Sequence, residues 1–315
     1  MSAAGLALGY GADLVVGDQR RGHPVAGFGR VAQALERRLY APSRARGALF
    51  AGALVTGAAL AGHGLSRLLG RRAALALLTW TALGGRSLRS EAAAIAEQLE
   101  RGDVADARRS LPALAGRDPA ALDGHGIARA VVESVAENTS DAVVGALLYA
   151  AALGPAGVAA YRAANVLDAM VGHRSPRYAD FGWAAARLDD ALGWPAARAA
   201  AGLTVLCARE RGRAWRVLRR DGAAHPSPNA GRMEAAFAGA LALRLGGPLS
   251  YGGRAELRPA LGDGRAPAAA DIGRANALSR RVGAAALAAA VALRALRSPR
   301  APRGTAGARR ERSVR

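Results

Sequence analysis

Glu133, Glu137 and Asp141, in the stretch ESVAENTSD at 133–141, stand at i, i+4 and i+8. On a helix those positions share one face, so the three carboxylates form a ladder. Like charges at that spacing repel unless a cation lies among them. Mg²⁺ suits the task, because it is held by one or two carboxylates together with substrate phosphates. Arginines such as Arg129 would neutralise the same ladder on a solvated face, and the spacing leaves both readings open. A second block, 162–195, adds Asn165 and Asp168 at helical spacing, then Arg174, Arg177 and Arg187, then Asp189 and Asp190. Arginine forks grip phosphate or carboxylate, so acids facing arginines suit a magnesium-bound phosphate substrate; an ion-pair network without a ligand is the alternative. Two further motifs, DQRRGHP at 18–24 and HPSPNAG at 225–231, place His23 and His225 directly before prolines. Each imidazole is a candidate general base or substrate hydrogen-bonder. The metal set read from these blocks is Glu133, Glu137, Asp141 and Asp168. His23, His225 and Glu137 form the catalytic set, with Arg174, Arg177, Arg187, Asn138, Asn165 and Asn229 for substrate or phosphate.

Composition removes several chemistries. All 44 basic residues among the 315 are arginine, for a formal charge of +20. Without lysine there is neither a P-loop nor a Schiff base to pyridoxal phosphate. The arginines are scattered and aromatics make up only 4% of the chain, so the charge does not read as a nucleic-acid interface. Cys207 is alone, which excludes a disulfide framework and a cysteine zinc site. The N-terminus lacks a basic leader and Asp13 interrupts its apolar stretch, so no cleavable secretory signal is expected.

Apolar runs must position these groups. Residues 47–65 carry no formal charge and approach the length of a spanning helix; shorter runs lie at 73–85, 199–208 and 282–293, with a weaker one near 3–17. The run 142–161 comes directly after the carboxylates and contains a Gly154-Pro155 break of the kind membrane helices tolerate. Arginines flank several runs, and small residues let such helices approach closely. The expected fold is all-α: a multi-pass membrane helical bundle with polar helical loops, rather than a soluble Ala-rich bundle. Strand signals are sparse. One integral-membrane domain is expected over 1–297, with a basic, disordered tail over 298–315.

Taken together, the segments 13–30, 86–89, 116–154, 161–190, 225–253 and 261–264 resemble the CobD/CbiB family, the adenosylcobinamide-phosphate synthases of cobalamin biosynthesis. The combination ESVAEN-x-SD, N-x-x-D-x-M-V-G and FGWAAARLDD carries the likeness. The chain departs from the family pattern at Gln19, where proline is usual, at His173, where tyrosine is usual, and at Arg232-Met233 in place of Trp-Pro. The acids are intact, so these changes bear on substrate preference more than on the reaction.

The resemblance implies a bacterial, multi-pass inner-membrane (plasma-membrane) ligase. It would join a carboxylate of adenosylcobyric acid to the amine of 1-amino-2-propanol O-phosphate, or to aminopropanol, with ATP as co-substrate and Mg²⁺ as its counter-ion. Its partners would be those substrates, membrane lipid and other enzymes of the corrin pathway. Two rival readings stand beside it: a membrane Mg²⁺-dependent phospho- or prenyltransferase, whose aspartates also sit at helical spacing, and a non-catalytic membrane sensor that keeps the fold.

Overall fold

The computed structural model describes residues 3–18, 22–116, 118–120, 122–173, 175–251 and 254–297. Arg174 and the expected tail over 298–315 lie outside the described residues. The described chain is all-α apart from one hairpin, in the order α1 (Ala4–Val16), α2 (Pro24–Leu39), α3 (Arg44–Leu68), α4 (Gly70–Ala82), α5 (Gly85–Glu100), α6 (Val104–Ser110), α7 (Gly124–Thr139), α8 (Ala146–Leu167), α9 (Trp183–Cys207), α10 (Arg211–Asp221), α11 (Ala230–Leu241), β1 (Leu245–Tyr251), β2 (Arg254–Leu261) and α12 (Ala269–Leu296).

Helix α7 is the axis of the core. Ile127, Val131, Val132 and Val135 are fully buried, with α5, α11 and α12 packed around them. Asp123 starts this helix by accepting a hydrogen bond from the Gly126 N–H at 2.7 Å, an N-cap that satisfies one of the orphan donors of the first turn. The apolar helices are Ala- and Gly-rich, and their packing uses that. A Cβ on Gly9 would lie 2.7 Å from the Ala76 carbonyl oxygen, and one on Gly62 would lie 2.7 Å from that of Pro155. These are close backbone approaches of α1 to α4 and of α3 to α8, available only to a residue without a side chain.

Among the described residues, two helices are long and apolar enough to cross a membrane: Arg44–Leu68, which is α3, and the continuous helical run Gly124–Gly172. They differ in surroundings. The most apolar window of α3 is 22% buried, whereas that of the second run is 67% buried and forms the core. Leu49, Leu60 and Leu68 on α3, with Leu8, Val15 and Val16 on α1, expose large apolar side chains. The break expected at Gly154-Pro155 is a kink within α8, where Gly154 takes φ +74°. Proline removes a helical donor, and only a residue without a Cβ enters the left-handed region freely.

The hairpin has no counterpart among the elements expected from sequence. Strands β1 and β2 pair antiparallel, with Leu245 opposite Leu261 and Gly247 opposite Arg258 and a bulge between Leu245 and Gly247. LGGPLSY has neither the β-branched content nor the strict alternation that marks a strand.

Candidate functional site

The run from α7 into α8 is not a uniform helix. Residues Ser140–Gly145 and Asp168–Gly172 are π-turns, and Asp141 and Asp168 stand in the first turn of each. A π-turn inserts one residue into the helical repeat and rotates the residues beyond it, and such turns are frequent at functional sites. The first insertion is accommodated by Tyr161, whose hydroxyl packs where a Cβ on Gly145 would stand. At the second, the Asp168 carboxylate folds over Gly172 in the same way.

The carboxylate ladder divides within α7, one turn before this irregularity. Glu133 turns into the protein: it is 3% exposed and accepts a hydrogen bond from the Gly246 N–H at 2.7 Å, with Arg129 Nε 4.0 Å away. Its place is at the root of the hairpin. Glu137 is exposed, and Asp141 lies within electrostatic reach of Glu137, Asp189 and Arg162. Helix α9 brings Asp189 and Asp190 to the same neighbourhood, and Asp189 also feels Asp168. Burial, and after it the charge of Asp168, pushes the Asp189 carboxyl up to about 7; Asp190 and Glu137 add to the shift, against the opposing hydrogen bond from Asn165.

A half-buried cation, Arg162, enters this cluster. Its Nη1 donates to Asn165 Oδ1 at 2.8 Å, and Asn165 Nδ2 reaches Asp189 Oδ1 at 3.5 Å. Asp18 and Asp141 are its acidic neighbours. Its Nε is buried and has no partner among the described residues, as is true of the Ser140 hydroxyl. A buried donor left unpaired costs roughly 1–3 kcal/mol, so this arrangement is not one that stability alone would choose.

The remaining expected residues fall around this centre or away from it. Asn229 supports it: its amide donates to the Asp190 carbonyl at 2.9 Å and its oxygen accepts from Arg198 at 2.9 Å. Asn138 hydrogen-bonds back onto Ser134 within α7. His23 is the N-cap of α2 and accepts from the Val25 N–H at Nδ1, which leaves the neutral ring's proton on Nε2, 3.9 Å from Asp18. His225 is buried and likewise accepts at Nδ1, from the Ser227 N–H. Its Nε2 faces Arg258 and Glu234, which ties the HPSPN loop to the hairpin. Arg177 pairs with Glu36 at 3.0 Å and stacks on Tyr40, while Arg187 lies 3.5 Å from Asp190 on an exposed face. Arg162 was missed by sequence reasoning because it sits at the end of an apolar run; its position three residues before Asn165 is the signal that could have found it.

Mg²⁺ can be tested against this donor set. All of the acids are hard oxygen donors, and Asp189 lies among Asp168, Asp190, Glu137 and Asp141, a charge imbalance that a divalent cation would relieve. Among the described residues no three His, Cys, Asp or Glu side chains converge as a metal cage. An ion held by one or two carboxylates and otherwise by substrate phosphates needs no such cage, so the residues fit a metal that arrives with its nucleotide. Asp141 and Asp168, with Glu137 at the open edge, are the ones that would hold it.

The sequence is similar to known proteins along most of its length. The sequence model of the CobD/Cbib protein family matches residues 6–279. The chain is 55% identical over 298 residues to the cobalamin biosynthesis protein CobD of Mycobacterium tuberculosis (strain ATCC 25618 / H37Rv), covering 91% of this chain and 94% of that protein. Proteins of the same name from Chromobacterium violaceum and Geobacter metallireducens are each 43% identical, the first over 85% of this chain and 89% of its own length, the second over 80% and 83%. No solved structure matches. The match spans the acidic cluster, the helices that carry it and the hairpin behind it, and the chain belongs to the CobD/CbiB family.

Proposed function

We propose that this chain is the amide-forming ligase of cobalamin biosynthesis that condenses a carboxylate of adenosylcobyric acid with 1-amino-2-propanol O-phosphate at the expense of ATP. The observation that carries the reading is the cluster in which Asp189 on α9 feels Asp168, Asp190 and Glu137 and also acts on Asp141, the two π-turns supplying Asp141 and Asp168 and Arg162 lying beside Asp141. Such a cluster favours a cation, and the Mg²⁺ that accompanies a nucleotide would supply it.

The chemistry divides into two transfers. A carboxylate oxygen of the corrinoid attacks the γ-phosphorus of ATP and ADP leaves, giving an acyl phosphate. The amine nitrogen then attacks the acyl carbon, phosphate leaves, and one proton is lost from nitrogen. Bound Mg²⁺ would screen the phosphate oxygens in the first transfer. The protein's part is to hold and to exclude. Glu137, Asp141 and Asp168 keep the cation side negative. Asn165 ties α8 to α9 through the Arg162–Asn165–Asp189 chain, and Asn229 ties the start of α11 to α9 through the Asp190 backbone. His23, half-buried beside Asp18, is assigned a hydrogen bond from Nε2–H to the substrate, since its Nδ1 already accepts the Val25 N–H. His225 is held by its own loop and stands as the alternative.

The same reading places the enzyme in the bacterial plasma membrane. It is supported by the outward apolar faces of α1 and α3 and by the apolar length of the α7–α8 run. A multi-pass arrangement puts the carboxylates where a polar helix meets the bilayer.

The test is direct. Membranes carrying the chain are given adenosylcobyric acid, aminopropanol phosphate and MgATP, and the corrinoid is tracked by mass spectrometry. A mass gain of one amide bond that requires all three additions supports the proposal. No gain from folded protein, with label instead transferred from a lipid diphosphate, would replace it with a membrane phospho- or prenyltransferase.

A further inference from the structure

Arg162 faces a second space besides the acidic cluster. A cavity of about 330 Å³ lies between α2, α3, α4 and α8, walled by Val25, Phe28, Leu78, Val158 and Val166. Arg162 is the one charged residue among those described that line it, and Thr81 is the one other polar side chain there. The guanidinium is half committed: Nη1 is held by Asn165, while Nε is buried without a partner. An apolar slot with one cation at its floor is complementary to an aliphatic stem that ends in an anion.

The charge of that anion is set by the neighbours. Asp18 and Asp141 also act on Arg162, and His23 at the N-cap of α2 lies beside Asp18. A phosphate dianion is held by several cationic donors, and among acids a lone arginine would hold it poorly. A carboxylate monoanion needs one fork, and two or three methylenes behind it match the Val, Leu and Phe walls.

We propose that this cavity receives an aliphatic carboxylate arm of the substrate, with Arg162 gripping the carboxylate at the edge of the acidic cluster. Resting on the function proposed above, the arm is the propionate of the corrinoid. The slot then delivers one carboxylate oxygen to the side where the nucleotide is held, and it selects which arm of a many-armed substrate is activated.

The experiment is equilibrium dialysis of adenosylcobyric acid against the purified full chain, without ATP or amine, read by the visible absorbance of the corrinoid. A corrinoid with the same arm already closed as an amide serves as the control ligand. Arg162→Gln is expected to weaken binding of the free acid by roughly tenfold or more and to leave the amide control unchanged. Arg162→Lys should regain part of the loss. Ala159→Leu, which intrudes on the slot while keeping the arginine, should weaken binding too, so the result does not depend on one variant folding well. In steady state all three should raise KM for the corrinoid and leave KM for aminopropanol phosphate unaltered. Wild-type binding of free acid in Arg162→Gln, or a raised KM for the amine phosphate instead, overturns the inference. Corrinoid that binds through Arg162 but never gains an amide would sink the proposed reaction and leave the slot standing.

Discussion

Two groups of acids in this protein are built on opposite terms. Asp271, fully buried at the start of α12, receives Arg265 at 2.6 and 2.8 Å, Arg274 at 2.6 Å and the Ala268 N–H at 2.9 Å. Burial works against its charge, but these donors outweigh it and hold the carboxyl below its usual range. Asp221 is similar, kept low chiefly by Arg220, against the effect of burial, with help from the Gly262 N–H. Around Asp189 the balance is reversed: burial and neighbouring acids prevail, and its carboxyl reaches about 7. The first arrangement is finished within the chain and fixes the loop after the hairpin to α12. The second is not completed by cations of the chain, and the function proposed above assigns the balancing charge to Mg²⁺. A buried acid therefore signals structure or chemistry according to whether the protein itself completes its pairing.

That contrast breaks most sharply on Glu137. Glu137→Ala is expected to lower turnover by about 10²–10³-fold while leaving the melting temperature unchanged, because the side chain is exposed and its loss costs electrostatics alone. Activity assayed beside a thermal melt checks both halves. Equal losses in the two would put Glu137 among the structural acids.

Asp271→Ala should do the opposite. Removing the partner of Arg265 and Arg274 is expected to cost on the order of 3 kcal/mol of stability, with turnover per folded molecule preserved. Denaturant titration in detergent, paired with specific activity, reads this. Gly145→Ala comes next. Its Cβ would occupy the place of the Tyr161 hydroxyl, so overpacking of roughly 1–3 kcal/mol is expected, and Tyr161→Phe in the same chain should recover part of it.

The pH dependence of stability sharpens the comparison further. Folding raises the Asp189 pKa from 3.8 to about 7, so the native chain binds more protons than the unfolded chain between those values. Stability from this group is greatest at the acidic end of the window and falls as pH rises to 7, with no further change above it. Asp189→Asn should flatten that slope, and added Mg²⁺ should stabilise the wild type more at pH 8 than at pH 5. The smallest effect is reserved for Asp263, which is exposed and paired with Arg213 and Arg220. Asp263→Asn should leave the melting temperature unmoved.

Much of this was readable from the residues. The helix through ESVAENTSD, the break at Gly154-Pro155 and the shared face of Asn165 and Asp168 come from spacing and propensity, whereas the approach of Asp189 on α9 is tertiary. Periodicity failed where the backbone departs from 3.6 residues per turn. The π-turn at Ser140–Gly145 leaves no mark in the hydrophobic pattern, because its stabilising contact, Tyr161 on Gly145, is tertiary. The partner of Glu133, Gly246, is 113 residues away in a hairpin whose sequence carries no strand signal. His225 reads as a free imidazole in sequence, yet its loop and β2 enclose it.

The two π-turns also have a genetic meaning. Each is one residue of surplus length, and a deletion of a single residue within 140–145 or 168–172 would let the helix close to an ordinary repeat. Such a deletion would rotate Asp141 or Asp168 away from α9 while sparing the hydrophobic seam on the other side of the kink. The chain thus lies one residue from a smoother helix without the acidic cluster.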